Sequence, residues 1–322
     1  MPYARPLSSR ILSWLPGPPR ARIAAWATVP WLNAGANLVL GTDGTSAVWD
    51  QGTVLVVLNY AALSFAVAIT LWGTDHIAKR CATLQAATPG PGARPLFRAM
   101  DSAVGPLTVS LAAALVFGAS ALVRDGWGAG FVRGVTWFVI GIALWTFLWT
   151  YVSLQLGLNR LGRQHLVRDA VHVDPGLGLQ PLGRLASTSL WLLLVWLVPV
   201  LLTALPDLLG AAVGLSVLAA ALAAFFFSLS GLHRQMVRVK DDALALAREL
   251  YAEAYEPVHR ARTLESLEAQ RNLLTAADAL ETRASAIHEW PIDEGTLARV
   301  ITITTSVIAM TIGRLILDPF GL

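Results

Sequence analysis

The chain has little charge and almost no cysteine. Of its 322 residues only 14% are charged, whereas a soluble domain averages about one quarter. The single cysteine, Cys81, excludes an internal disulfide and any metal site built from several cysteines. Lysine is also scarce, with 2 lysines against 22 arginines, a bias that we interpret as the codon usage of a GC-rich prokaryotic genome.

The low charge content comes from long uncharged stretches of the sequence. Since a bilayer core of about 30 Å needs about 20 helical residues, seven of these stretches predict membrane-spanning helices. In chain order they are Ile23–Leu40, Thr53–Trp72, Val104–Val123, Val135–Leu156, Ser187–Leu205, Leu208–Ser230 and Val300–Leu317. The first is the weakest because it contains Pro30, and an interfacial or half-inserted helix is the alternative for it.

Basic residues alternate along the segments between these stretches. With the N-terminus inside, the cytoplasmic segments carry 4, 4, 4 and 9 basic residues, and the two longer outside loops carry 0 and 2. This positive-inside distribution predicts a multi-pass protein of the cell (inner) membrane with a cytoplasmic N-terminus and an outside C-terminus. Because the basic residues face one membrane surface, we expect the lipid bilayer as a partner and no nucleic acid.

Residues 231–299 differ from the rest, because they hold 12 of the 21 acidic residues. Apolar residues recur there with the 3-4 spacing of coiled-coil-like seams on two helices. The first seam is Met236, Val239, Ala243, Leu246 and Leu250, and the second is Leu273, Ala277, Leu280, Ala284 and Ile287. We expect the sixth helix to run on to about Tyr255, the chain to turn near Pro257, and a second helix to return to about Glu289.

The sequence therefore predicts an all-α polytopic protein with seven transmembrane helices and a cytoplasmic helical hairpin between the sixth and seventh. Its regions are a cytoplasmic segment (1–22), a six-helix membrane region (23–230), the hairpin (231–299), and the last span with an outside C-terminus (300–322). Two helices cannot bury both seams well, so we expect the hairpin to pack on other cytoplasmic loops or on another subunit of a homo-oligomer. A solvated hairpin without a partner is the alternative.

The interiors of the first six spans contain no Asp, Glu, Lys, Arg or His. Ion-coupled carriers and intramembrane proteases need such groups near the midplane, so both classes are disfavoured. A His and Asp cluster in the third cytoplasmic segment is interpreted as a solvated helix, not a metal site; its members are His165, Asp169, His172 and Asp174. Without a catalytic or phosphate-binding motif, we expect no enzyme activity, no cofactor and no metal.

The seventh span is polar for a membrane helix. Thr302, Ser306, Ala309 and Gly313 follow one another at i, i+4, i+7 and i+11, so they share a face. Together with Thr305 and Arg314 they are candidates to line a pore. The alternatives are close packing within one subunit and, for Arg314, a guanidinium that reaches the headgroups.

Hydrogen-bonding side chains also occur in the outer half of the first two spans. Asn33, Asn37, Asn59 and Tyr60 are candidates to line a small-molecule pocket open to the outside. Hydrogen bonds between helices are the alternative use of such residues.

This layout resembles the insect odorant and gustatory receptor channels and their distant prokaryotic relatives. The shared features are seven spans, a sixth helix that continues into the cytoplasm, and a return helix that leads into a polar final span. The resemblance implies subunits that meet through the cytoplasmic extensions, a pore lined by the last helix, and a ligand pocket in the outer half of the bundle. The last helix here reads Thr302-Ile303-Thr304-Thr305-Ser306 and lacks the Thr-Tyr … Gln-Phe signature of the insect receptors.

The leading hypothesis is thus an oligomeric, ligand-responsive pore or ion-channel-like subunit. A non-conducting sensor or scaffold, whose cytoplasmic arm binds a partner, is the first alternative. A facilitator for an uncharged solute is the second, since it needs no buried charge.

Overall fold

The structure is a computed structural model, and regular structure in its described part is helical. The described residues are 5–39, 53–87, 97–162, 179–203, 208–258, 264–292 and 294–317. The helices are α1 (Leu7–Trp14), α2 (Pro19–Ala27), α3 (Val29–Val39), α4 (Thr53–Ala87), α5 (Val104–Asp125), α6 (Trp127–Leu161), α7 (Gln180–Thr203), α8 (Leu208–Val258), α9 (Leu264–Ser285) and α10 (Glu294–Leu317), with a 3-10 turn at Arg98–Asp101.

Four helices in the described part are long and apolar enough to cross a membrane. They are α4 over Val57–Leu84, α5 over Val104–Asp125, α6 over Trp127–Leu161, and α8 over Gly214–Tyr255. The all-α class is therefore confirmed for the described part, and these four helices have the length and composition of membrane spans. The fifth and seventh predicted spans are helical as α7 and α10, but neither is among the four.

The first predicted span is not one continuous helix in the structure, and whether it crosses the membrane stays a prediction. The chain forms α2 and α3 instead, of 9 and 11 residues, and each is too short for a bilayer core. The break falls at Thr28, whose hydroxyl donates to the Ala25 carbonyl at 2.7 Å. Pro30 follows, and it has no N–H to continue the ladder of α2. Pro30 therefore interrupts the helix even though the residues around it are apolar.

The chain divides into two compact units. The first comprises Met1–Gly157, Leu185–Phe225 and Gly295–Leu322, and the second comprises Leu158–Arg184 and Phe226–Glu294. A core in the first unit joins α1 and α2 to α4 and α6 through side chains such as Leu7, Trp26 and Val67. The short N-terminal helices are therefore packed elements of this unit.

The N-terminal segment begins beside the start of α5. The backbone N–H of Arg5 donates to Oδ1 of Asp101 at 2.7 Å, and Asp101 lies just before α5. In the same turn the Ala99 carbonyl accepts a hydrogen bond from Trp149 Nε1 of α6 at 2.8 Å. Arg5 is therefore placed near the level of Trp149 along α6.

The same segment ends near the other end of α6. Trp26 Nε1 donates to the Val139 carbonyl at 3.1 Å, and the Thr136 hydroxyl donates to Asn33 Oδ1 at 3.2 Å. Thr136 precedes Trp149 on α6 by thirteen residues, or about 20 Å at 1.5 Å per residue. Helices α1 to α3 together thus cover most of a bilayer thickness, although none of them does so alone.

Helices α5 and α6 form a hairpin with unusually close backbones. The chain turns at Gly126, where φ is +89°, a conformation that favours glycine. A Cβ on Gly118 would lie 3.1 Å from the Gly130 carbonyl oxygen and 3.2 Å from Gly134 Cα. Small residues on both helices therefore set the interhelical distance, as in other membrane helix pairs.

In the second unit, the C-terminal part of α8 runs antiparallel to α9. Nζ of Lys240 contacts Glu289 Oε1 at 2.9 Å, and the Tyr251 hydroxyl donates to the carboxylates of Asp278 and Glu281. Because rising numbers on α8 pair with falling numbers along α9 and the segment after it, the two helices lie side by side. The cytoplasmic location of this pair stays a prediction.

Candidate functional site

A polar cluster lies between α3, α4 and α6 in the first unit. Asn33 of α3 accepts the hydrogen bond from Thr136 of α6, and its side chain is also hydrogen bonded to Tyr60 of α4. The Tyr60 ring lies against Trp31, with 5.7 Å between ring centroids. One asparagine thus joins three helices through its side-chain amide.

Arg133 of α6 adds a positive charge to this cluster. Its guanidinium interacts electrostatically with Tyr60 and lies 3.7 Å from the Asp125 carboxylate. Both side chains of that ion pair are largely shielded, with exposed fractions of 31% for Arg133 and 16% for Asp125. The cluster therefore offers an amide, two hydroxyls and an ion-paired guanidinium, a combination suited to a small polar ligand.

Two of the four residues predicted to line a pocket meet in this cluster, namely Asn33 and Tyr60. Asn59 is half-buried on the same helix as Tyr60. Asn37 lies on α3, but its side chain falls outside the described part of the structure. The pocket itself stays a prediction, and what the structure adds is the position of two of its residues.

The sequence analysis missed Thr136 and Arg133. It assigned Arg133 to an outside loop, whereas α6 begins six residues earlier at Trp127 and carries Arg133 in its second turn. The two residues lie at i and i+3, so they share a face of α6. A glycine-rich helix start hid this pairing, because Gly128, Gly130 and Gly134 read as loop residues.

Helix α10 carries the residues predicted to line a pore. Its buried side chains include Val300 and Val307, one heptad apart and hence on one face. The residues Thr302, Thr305, Ser306 and Ala309 are exposed, and Gly313 has no atom within 4 Å of the position of a Cβ. The predicted polar face thus lies open in the single chain; the Arg314 side chain is outside the described part.

Two hydroxyl groups on this face donate hydrogen bonds to the backbone of their own helix. The Thr302 hydroxyl donates to the Ala298 carbonyl at 2.9 Å, and the Ser306 hydroxyl donates to the Thr302 carbonyl at 2.8 Å. Such bonds satisfy the donors inside one helix, so the face presents oxygen lone pairs to its surroundings. At Thr302 and Ser306 the face is therefore only mildly polar, and lipid, protein or water can each contact it.

The arm, by which we mean residues 226–292 of the second unit, has small residues at its centre. Ala247, Ala254, Ala277 and Ala284 are all at most 1% exposed. The larger predicted seam residues vary: Met236 and Ile287 are buried, Val239, Leu250, Leu273 and Leu280 are half-buried, and Leu246 is 50% exposed. On α8 the buried position is therefore Ala247, one residue after the predicted Leu246.

Charged and aromatic groups close one end of the arm. The Glu289 carbonyl lies 2.7 Å from Nδ1 of His233, and the Trp290 ring stacks on His233 at 4.2 Å between centroids. The hydrogen bond from Lys240 holds the pKa of Glu289 below its ordinary value. These contacts fasten the segment after α9 to α8.

The His and Asp cluster of the third cytoplasmic segment cannot be placed. His165, Asp169, His172 and Asp174 lie outside the described residues. Within the described ranges no group of three or more His, Cys, Asp or Glu residues is placed to hold a metal ion. No protein-family model, curated protein or solved structure matches the chain.

Proposed function

We propose that the chain is one subunit of an oligomeric membrane pore whose α10 helices face one another. The supporting observation is that α10 buries Val300 and Val307 while its small and polar face lies exposed, along with Ile301, Ile308 and Ile312. Oxygen lone pairs along a membrane helix can accept hydrogen bonds from water or coordinate cations, which lipid hydrocarbon chains cannot do. Small residues also allow helices of neighbouring subunits to approach closely.

The test uses the chain's single cysteine. Cys81 is buried, so a Cys81→Ala background carrying Ser306→Cys places one reactive thiol on the exposed face. Oxidation in membranes should yield covalently linked subunits, since the α10 helices meet in this proposal. The matched control is Val307→Cys, whose side chain is buried within the single chain and should not crosslink.

Conduction requires a second measurement. Liposomes containing the Ser306→Cys protein should leak ions, and a charged thiol reagent should reduce the leak because it places a charge in the path. Crosslinking without any leak would remove the pore but keep the oligomer. A strictly monomeric protein without crosslinks would remove both.

We further propose that a small polar ligand binds at the cluster of Asn33, Tyr60, Thr136 and Arg133. The break between α2 and α3 next to this cluster supports the idea, because interrupted membrane helices often border binding sites. A thermal-shift screen of small polar compounds should find stabilisers of the wild type that do not stabilise Asn33→Ala. Compounds that stabilise both proteins equally would place the ligand elsewhere.

A non-conducting scaffold is the second candidate. It is favoured by the outer side of the arm, where Leu246 is 50% and Tyr255 59% exposed, since apolar side chains that stay exposed often mark interaction surfaces. This candidate predicts an oligomer or complex without ion leak under any condition, which the liposome measurement distinguishes from the pore.

A further inference from the structure

One side of the α5–α6 hairpin is an open apolar groove of about 480 Å³. All twelve residues that line it are apolar or glycine, from Leu111 to Leu122 on α5 and from Trp127 to Phe138 on α6. Each wall covers eleven residue steps, or about 16 Å of helix. The groove thus has the length and chemistry of a slot for one flexible hydrocarbon chain.

The close approach of the two backbones explains the shape of the groove. Gly118 and Gly130 form its floor, because neither has a side chain and the two helices nearly touch there. Leu115 and Phe131 stand beside the floor as walls, and they are 64% and 73% exposed. Such surface is costly in water, so inside a bilayer something apolar must cover it.

One end of the groove carries positive charge. Arg124 follows the last lining residue of α5 and is exposed, and Trp127 at the same end is 83% exposed. Asp125 is paired with Arg133 at 3.7 Å, so these three charged residues together leave one net positive charge. Tryptophan and arginine at the end of a membrane helix are the residues that meet lipid headgroups.

We propose that this groove binds an anionic phospholipid, with one acyl chain between α5 and α6 and its phosphate at Arg124. A helix of a second copy would fill the apolar part but would remove water from Arg124 without supplying a counter-charge. A zwitterionic lipid would fill the groove but pair less well with the net positive end. The site requires only that α5 and α6 lie in the membrane, and it is independent of a pore.

The first test is native mass spectrometry of the purified full chain in mild detergent with added phosphatidylglycerol or phosphatidylcholine. The wild type should retain phosphatidylglycerol more strongly. Arg124→Gln should weaken this retention about fivefold, the equivalent of about 1 kcal/mol for one basic residue at an anionic headgroup. Ala119→Phe, which fills the groove, should reduce retention of both lipids.

Matched controls exist on the same helix and at its other end. Ala112 is an exposed residue of α5 that does not line the groove, and Arg98 is an exposed arginine before α5. Ala112→Phe and Arg98→Gln should bind lipid as the wild type does. Equal lipid retention in Ala119→Phe and wild type would overturn the proposal, as would a dimer that Ala119→Phe dissociates, because a second copy would then occupy the groove.

A second measurement needs no variant. Phosphatidylglycerol with a photoreactive acyl chain should label the wild-type chain mainly within 111–138. Even labelling over the exposed apolar residues of α4 and α10, such as Phe65 and Ile308, would show only general contact with the bilayer and would also overturn the proposal.

Discussion

Gly130 shows how one side chain sets the spacing of two membrane helices. A Cβ at this position would lie 2.8 Å from Leu122 Cβ and 3.0 Å from the Gly118 carbonyl oxygen. Because one of these neighbours is backbone, the helices cannot accommodate a methyl group without moving apart. The lack of a side chain at Gly130 therefore allows the backbones of α5 and α6 to touch, which a larger residue at this position would prevent.

We predict that Gly130→Ala destabilises the protein. Alanine favours a helix by about 1 kcal/mol over glycine, but overpacking at a close contact costs about 1–3 kcal/mol, so the net effect should be a lower midpoint of thermal unfolding in detergent. Gly35→Ala is the matched control, since no atom lies within 4 Å of its Cβ position, and it should be neutral or stabilising. A midpoint that rises in Gly130→Ala would contradict the close contact.

The polar cluster shows what sequence can and cannot provide at this scale. Asn33 and Tyr60 were recognisable because an amide or a hydroxyl within an apolar run needs a partner. Their partner Thr136 was not, because it stands on a helix more than one hundred residues away. Nothing in the local pattern distinguishes that threonine from Thr146, which is buried on the same helix.

At the scale of single elements, the arm contrasts two kinds of apolar contact. The 3-4 spacing in the sequence indicates leucines as contact residues, yet the centre of the α8–α9 pair is built from alanines such as Ala247 and Ala277. Alanines allow the backbones to approach, and larger residues then stand at the sides. The spacing of the seam on α9 was predictable from the sequence. Which residues of α8 face α9 was not, because that depends on how closely the two backbones approach, and hydrophobicity gives no information on this distance.

We predict opposite effects for two substitutions in the arm. Ala277→Leu should destabilise it by about 1–3 kcal/mol, because a fully buried alanine leaves no room for a larger side chain. Leu246→Ala should leave folding nearly unchanged, since that side chain is 50% exposed, but should weaken self-association if subunits meet there. Thermal unfolding measures the first effect and native mass spectrometry measures the second; a strongly destabilised Leu246→Ala would contradict its position on the outer side.

The end of the arm should respond to acid. Because Lys240 lowers the pKa of Glu289 in the folded chain, their contact contributes stability above the ordinary pKa of 4.5. That contribution is lost as the pH falls through the lowered value, when Glu289 becomes protonated. The Glu289 side chain is 54% exposed, so the effect should be small.

Glu289→Gln provides the measurement. The variant should have a slightly lower unfolding midpoint than the wild type near neutral pH, and the difference should disappear as the pH falls through the lowered pKa of Glu289. Glu268→Gln, at an exposed position near the start of α9, serves as a comparison for general charge effects. A difference that grows as the pH falls would have the wrong sign for this contact.

For the whole molecule, the predicted helical class is confirmed, four helices have the length and composition of membrane spans, and the seven crossings stay a prediction. Apolar length alone made Ile23–Leu40 a span, and Pro30 divides it. The distribution of arginines and the helix lengths then disagree on whether the chain crosses the membrane in this region. A cytoplasmic N-terminus needs a crossing in this region, but neither α2 nor α3 is long enough to make it.

The packing of the first unit resolves this disagreement. Arg5 lies beside Asp101 at the start of α5, and Asn33 lies beside Thr136, about 20 Å further along α6. The N-terminal helices thus pass from one end of the bundle towards the other as a broken element. Such interrupted helices are stable in membranes where neighbouring helices satisfy the freed backbone groups.

We therefore predict that the N-terminus and the segment around Asp101 lie on the same side of the membrane. Single cysteines introduced at Ser13 and at Ser102, in the Cys81→Ala background, should both be labelled by a membrane-impermeant thiol reagent only after the cells are opened. A cysteine at Asp125 should be labelled in intact cells, because α5 ends on the other side. Labelling of the Ser13 site in intact cells would contradict this prediction and would mean that α2 and α3 return to the side they came from. The four arginines of the N-terminal segment would then lie outside, against the positive-inside distribution of the other loops.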